Sequence, residues 1–113
     1  MQAFDPDDIE TARAFYLAIT NPRHRAVLDF LIDHPDERFD EATLAERLGL
    51  PEHRDVARAT YAMGEIAASL GRKRPWTEGQ LGYLMPAAQA TLLRRARERE
   101  AVSNVQAGTT TSC

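Results

Sequence analysis

Cysteine is nearly missing from this 113-residue sequence: Cys113 is the one copy and stands last, so no internal disulfide can form. Long apolar runs are missing too, and nothing approaches the roughly 20 residues that a membrane span needs. The opening MQAFDPDDIE is acidic and has neither the basic start nor the hydrophobic stretch of a secretion signal. A cytoplasmic protein is the simplest expectation. Histidine is sparse: His24, His34 and His53 lie far apart with no Cys near any of them, so no metal-ligand spacing arises. The few serines (Ser69, Ser103, Ser112) sit in no nucleophile turn. Gly79 and Gly82 are not placed between a strand and a helix, as a phosphate-cradling loop requires. No cofactor is expected, and an enzyme is the least supported class.

What is present is ordinary for one globular domain: 43% hydrophobic and 27% charged residues. The net charge of −3 argues mildly against a nucleic-acid partner, but its distribution is uneven. Residues 1–50 carry five Arg against eleven Asp and Glu, a net of −6, while residues 51–100 carry nine Lys and Arg against six acids, a net of +3. Either charge has clustered on a solvated surface, or the basic half faces a polyanion.

The organising stretch is residues 39–70, FDEATLAERLGLPEHRDVARATYAMGEIAASL. Leu44, Ala45 and Leu48 share one face of a short helix for which Asp40 is the cap. Gly49 stands where that helix ends, because glycine enters the left-handed conformation without a steric penalty. Pro51 suits the first turn of a second helix, predicted from about Glu52 to Leu70, with Val56, Ala59, Met63, Ile66 and Leu70 on one stripe. Helix, glycine turn and longer helix form the pattern of a helix-turn-helix over residues 40–70.

Around it the sequence predicts a helix over residues 5–20, capped by Asp5 with Pro6 in its first turn, bearing Ile9, Ala12, Phe15, Tyr16 and Ile19. A helix capped by Asn21 follows, its stripe being Ala26, Val27, Phe30 and Leu31. Arg38-Phe39 is long enough for a short strand, and Gly71 reads as another helix end. Residues 72–85 read as a basic segment and a β-hairpin. The last helix, residues 86–100, is expected to face Ala88, Leu92 and Ala96 inward, with Leu93 flanking and its charged end solvated. Residues 101–113 have no periodicity and are expected to be disordered.

A helix-turn-helix followed at once by a hairpin resembles a winged-helix domain. The run NPRHRAVLDFLIDHPDERF, then LAERLGL and GR before the hairpin, is similar to small bacterial winged-helix families of unassigned function. The resemblance covers roughly Pro22 to Arg99 and implies a mainly α, winged helix-turn-helix fold with a small β-hairpin wing. It departs from the common pattern in one place. The first apolar residue of the second helix usually comes six positions after the turn glycine, where Asp55 stands; Val56 follows one later, so the turn is longer.

The resemblance implies a DNA-binding protein, a transcriptional regulator, with double-stranded DNA as partner. His53, Arg54, Arg58 and Tyr61 are then the outward residues of the groove-facing helix. Arg suits guanine edges and phosphate because its fork donates two parallel hydrogen bonds. Glu52 and Asp55 flank these arginines, and surface ion pairing is the competing reading. Arg72, Lys73 and Arg74 are placed to meet phosphate at the wing base, or to complement a helix C-terminus. Trp76 is a candidate for stacking, or for hairpin packing. A homodimer through the N-terminal helix is suggested by its surplus of Phe4, Phe15, Tyr16, Leu17 and Ile19. The alternative to DNA is a non-catalytic protein-interaction module with an acidic N-terminal face.

Overall fold

Asn21 starts the first long helix: its side-chain oxygen accepts from the N–H groups of Arg23, at 2.9 Å, and His24, at 3.4 Å, with Pro22 in the first helical position. From there the order is α2 (Pro22–Asp33), β1 (Arg38–Phe39), α3 (Glu41–Leu48), α4 (Arg54–Ser69), β2 (Thr77–Gly79) and β3 (Gly82–Leu84). α1 (Ile9–Ala18) precedes them and α5 (residues 87–98) follows. This computed structural model describes residues 1–98. Arg99, Glu100 and the segment 101–113 lie outside the described residues. The described chain is thus mainly helical with one small antiparallel sheet, and none of its helices is long and apolar enough to cross a membrane.

α1 begins later than Asp5 and Pro6 suggest. Asp5 closes a turn instead, accepting from the Asp7 N–H at its side chain (3.0 Å) and from the Asp8 N–H at its carbonyl (2.9 Å). Pro6 sits inside that turn, and the first helical hydrogen bond is Ala12 N–H to Asp8 O at 2.8 Å. Ala12, Phe15 and Tyr16 of α1 are buried with Phe4 and Ile19, so the apolar surplus that suggested a homodimer packs within the chain. Leu17 is the large apolar residue of α1 left outside, at 41% exposure.

α2 buries Leu28 and Ile32 beside the expected Val27 and Leu31, because α5 covers a second side of it. Ala26 and Phe30 are only partly buried; the Phe30 ring stacks on His34, 4.1 Å between centroids. The inward residues of α5 are Ala90, Leu92, Leu93 and Ala96, whereas Ala88 points outward. The charged end of α5 is less solvated than its composition predicts. Arg97 donates to Asp29 (3.2 Å) and Asp33 (2.8 Å), and Arg94 donates to the Ile32 carbonyl (3.1 Å). Tyr16 Oη also donates to Asp29, at 2.9 Å, so α1, α2 and α5 meet on one carboxylate. Burial, with that hydrogen bond, pushes the Tyr16 hydroxyl up to about 12.

The sheet ties the two ends of the helix pair α3–α4 together. β1 pairs antiparallel with β3 (Arg38 opposite Leu84, Phe39 opposite Tyr83), and β3 with β2, giving the order β1-β3-β2. Asp36, at φ 61, turns the chain from α2 into β1; its N–H donates to Met85 O (2.8 Å) and its carboxylate accepts the Ala87 N–H (3.0 Å). Asp40 caps α3 by accepting from the Thr43 N–H at 2.7 Å. Gly49 ends α3 at φ 66, and the Leu50 N–H reaches back to Ala45 O at 2.8 Å.

Candidate functional site

α4 starts at Arg54 rather than Glu52, so the turn from α3 runs through Pro51 and His53 before the helix begins. His53, at the N-cap, makes no side-chain cap, and the Asp55 carboxylate in the first turn reaches back out of the helix to accept the Glu52 N–H at 3.1 Å. The core stripe of α4 is Val56, Ala59, Thr60, Met63, Gly64 and Ala67, with Ile66 and Leu70 only partly buried. Arg54, Arg58 and Tyr61 follow at spacings of four and three on the opposite face. Tyr61 is 64% exposed, which is unusual for so large a ring.

Both arginines are paired. Arg54 Nε lies 3.3 Å from Glu52, and Arg58 Nη1 lies 3.6 Å from Glu52 and 3.2 Å from Asp55. The ion pairing that competed with a phosphate role is therefore formed. Such exposed pairs are worth about 0–1 kcal/mol, so either guanidinium can exchange a carboxylate for another anion at small cost.

The three cations at the hairpin base divide differently. Arg72 donates from Nε and Nη2 to the two oxygens of Asp8, at 2.9 and 3.1 Å, and is largely covered. Its backbone also forms a parallel bridge with Gln2, and the Lys73 N–H donates to Gln2 O at 2.9 Å. Arg72 thus fastens the N-terminal segment to the end of α4 instead of facing outward. Arg74 Nη1 pairs with Glu78 at 3.2 Å. The Lys73 side chain is exposed and has no ion-pair partner among the described residues.

Of the two readings of Trp76, the structure takes hairpin packing and corrects the stacking role. It is 4% exposed and its Nε1 donates to Glu78 Oε1 at 2.9 Å, so its ring packs inside and has no free face for stacking. Arg72, Lys73, Arg74 and Trp76 nonetheless line one open cleft of about 580 Å³, together with Gly64, Glu65 and Ala68 of α4. His53, Arg54, Arg58 and Tyr61 are not in it. From Arg58 to Gly64 is roughly 9 Å along the helix axis, so the two groups occupy successive parts of α4. Leu81, 73% exposed, stands at the hairpin turn.

Residues 9–100 match DUF6416, a family of unknown function, and that span takes in every helix and strand of the described chain. The chain belongs to DUF6416. No curated protein and no solved structure matches it. The outward side of α4 and most of the cleft at the hairpin base of this DUF6416 chain fall inside the matched span, while Asp8 and Met1, which also lines the cleft, lie before it.

Sequence reasoning passed over two residues that shape the site. Asp8 lies 64 positions from Arg72, and no local pattern joins them. Gly64 had a signal: a glycine inside an otherwise good helix usually marks a close approach. Among the described residues no group of three or more His, Cys, Asp or Glu is placed to hold a metal ion.

The Arg72 hydrogen bonds, helped by the Asp5 backbone, hold the Asp8 carboxyl below its ordinary value of 3.8. A carboxyl depressed in the folded state adds stability that is fully present above the unfolded value and disappears as pH falls through the folded one. Asp8→Asn is therefore expected to lower the thermal midpoint at neutral pH, and its difference from the unsubstituted chain is expected to shrink once pH drops below 3.8. A difference unchanged between about pH 7 and pH 2 contradicts the assignment.

Proposed function

We propose that this chain is a DNA-binding protein of winged-helix type that acts in transcription regulation. The succession α2, β1, α3, α4, β2, β3 and the strand order β1-β3-β2 support the winged-helix part of the reading, with α4 as the groove-facing helix and β2–β3 as the wing. The observation that carries the DNA part is the outward face of α4. It presents Arg54, Arg58 and Tyr61 in one row, with Lys73, which has no ion-pair partner among the described residues, at the hairpin base beyond its far half. Arginine forks on such a row are suited to phosphates and guanine edges, and Lys73 to a neighbouring phosphate.

The test is equilibrium binding to a random-sequence DNA duplex. Arg54→Ala/Arg58→Ala is expected to weaken binding about tenfold or more while leaving the thermal midpoint within a few degrees, because the pairs it removes are exposed. Binding that is unaffected sinks the assignment of α4.

A second reading has its own observation. Glu52 and Asp55 sit against Arg54 and Arg58, Asp8 against Arg72, and Glu78 against Arg74, so most of the cations on these faces are already neutralised. That favours a winged-helix module whose acidic N-terminal half binds a protein. It predicts no duplex binding even at low salt.

A further inference from the structure

α4 carries glycine at position 64, buried and in mid-helix, where glycine weakens the helix it sits in. The space that the missing side chain leaves is filled by Arg74. A methyl group on Gly64 would overlap Arg74 Nε and stand 2.9 Å from both Cζ and Nη2. The guanidinium lies against α4 at Gly64 and is paired with Glu78, whose Oε1 accepts from Arg74 Nη1 at 3.2 Å and from Trp76 Nε1 at 2.9 Å. Trp76 is itself packed in the core. Three residues of the hairpin's first arm are thereby fastened to one notch in α4.

Lys73 is the residue next to this fastening. Its N–H is fixed on Gln2, while its neighbours Arg72 and Arg74 are turned to Asp8 and to α4. We propose that Gly64 and Arg74 form a brace that sets the hairpin against α4. By this brace Lys73, and neither Arg72 nor Arg74, becomes the group of the basic triplet that meets a phosphate of the DNA backbone. Arg74 is then a positioning residue. The inference rests on the DNA-binding reading and assigns its wing contact.

The experiment uses the full chain and a random-sequence duplex, with binding followed across a salt series. Each phosphate contact contributes about 0.9 to the slope of log affinity against log salt. Lys73→Gln is expected to reduce that slope by about 0.9 with an unchanged thermal midpoint. Gly64→Ala displaces the flexible end of Arg74, not backbone, so the fold survives; affinity is expected to drop roughly three- to tenfold. Arg74→Gln, which leaves α4 untouched, is expected to give the same loss.

The deciding readout is the Lys73→Gln background, where neither Gly64→Ala nor Arg74→Gln should lower slope or affinity further. A further fall there means that Arg74 meets phosphate itself and overturns the brace. An unchanged slope in Lys73→Gln, with the unsubstituted chain binding normally, overturns the assignment of Lys73 alone. Absence of binding by the unsubstituted chain overturns this inference together with the reading beneath it.

Discussion

Gly82→Ala is expected to destabilise the chain by about 3 kcal/mol or more, the sum of a strained backbone conformation and a backbone collision. Gly82 has φ 115, a region that residues with a Cβ rarely adopt. An added methyl would come within 2.6 Å of the Phe39 carbonyl carbon and 2.8 Å of the Asp40 nitrogen, and would overlap the Phe39 oxygen. None of these atoms can swing aside. The collision falls where β1 runs beside β3, the central strand, and where Asp40 begins α3. Loss of the β1–β3 pairing would therefore disturb both the hairpin and the entry to the helix pair. At this size the thermal midpoint should fall by at least ~12 °C. Gly79→Ala, in the neighbouring strand, is the control: a methyl there meets nothing within 4 Å, and little change is expected. Equal effects from the two substitutions would contradict the close approach at Gly82.

Phe15→Ala is expected to cost about 3–5 kcal/mol, the range for emptying a fully buried aromatic site. Phe15 has no exposed surface, and its ring meets that of Phe4 at 5.4 Å between centroids, tilted by 55°. The loss extends beyond the cavity. Phe4 anchors the N-terminal segment, whose carbonyl at that residue accepts from Gln89 Nε2 at 3.0 Å and whose Asp8 holds Arg72. With Phe4 loosened, the acid-dependent part of stability assigned to Asp8 should shrink in the same variant. Urea denaturation of the variant, with and without Asp8→Asn, checks both points. A loss under about 1.5 kcal/mol would show that the two rings are not packed as described.

Much of the fold was legible in residue spacing because the relevant interactions are local. Asn21 and Asp40 act on N–H groups two or three residues away, and Gly49 terminates its own helix. The apolar spacing of α3 and α4 points directly at the core. Long-range partners left no such trace. Arg97 is held by Asp29 and Asp33 across the α2–α5 contact, although its neighbourhood reads as a solvated charge run. Asp5 and Pro6 have the composition of a helix start but form a turn, since Asp8 accepts the Asp5 N–H at 2.8 Å and closes it. The candidate site shows the same division. Outwardness of Arg54, Arg58 and Tyr61 follows from helical period and holds. The fate of Arg72, Arg74 and Trp76 depends on Asp8, Gly64 and Glu78, and of these only Glu78 is close in sequence.

The most direct measurement is binding of the unsubstituted chain to a random-sequence duplex from low to physiological salt. With Arg54, Arg58 and Lys73 each meeting one phosphate, log affinity should fall against log salt with a slope of about −2 to −3. No binding at the lowest salt, or binding indifferent to salt, would contradict the DNA reading and direct attention to a protein partner for the acidic half.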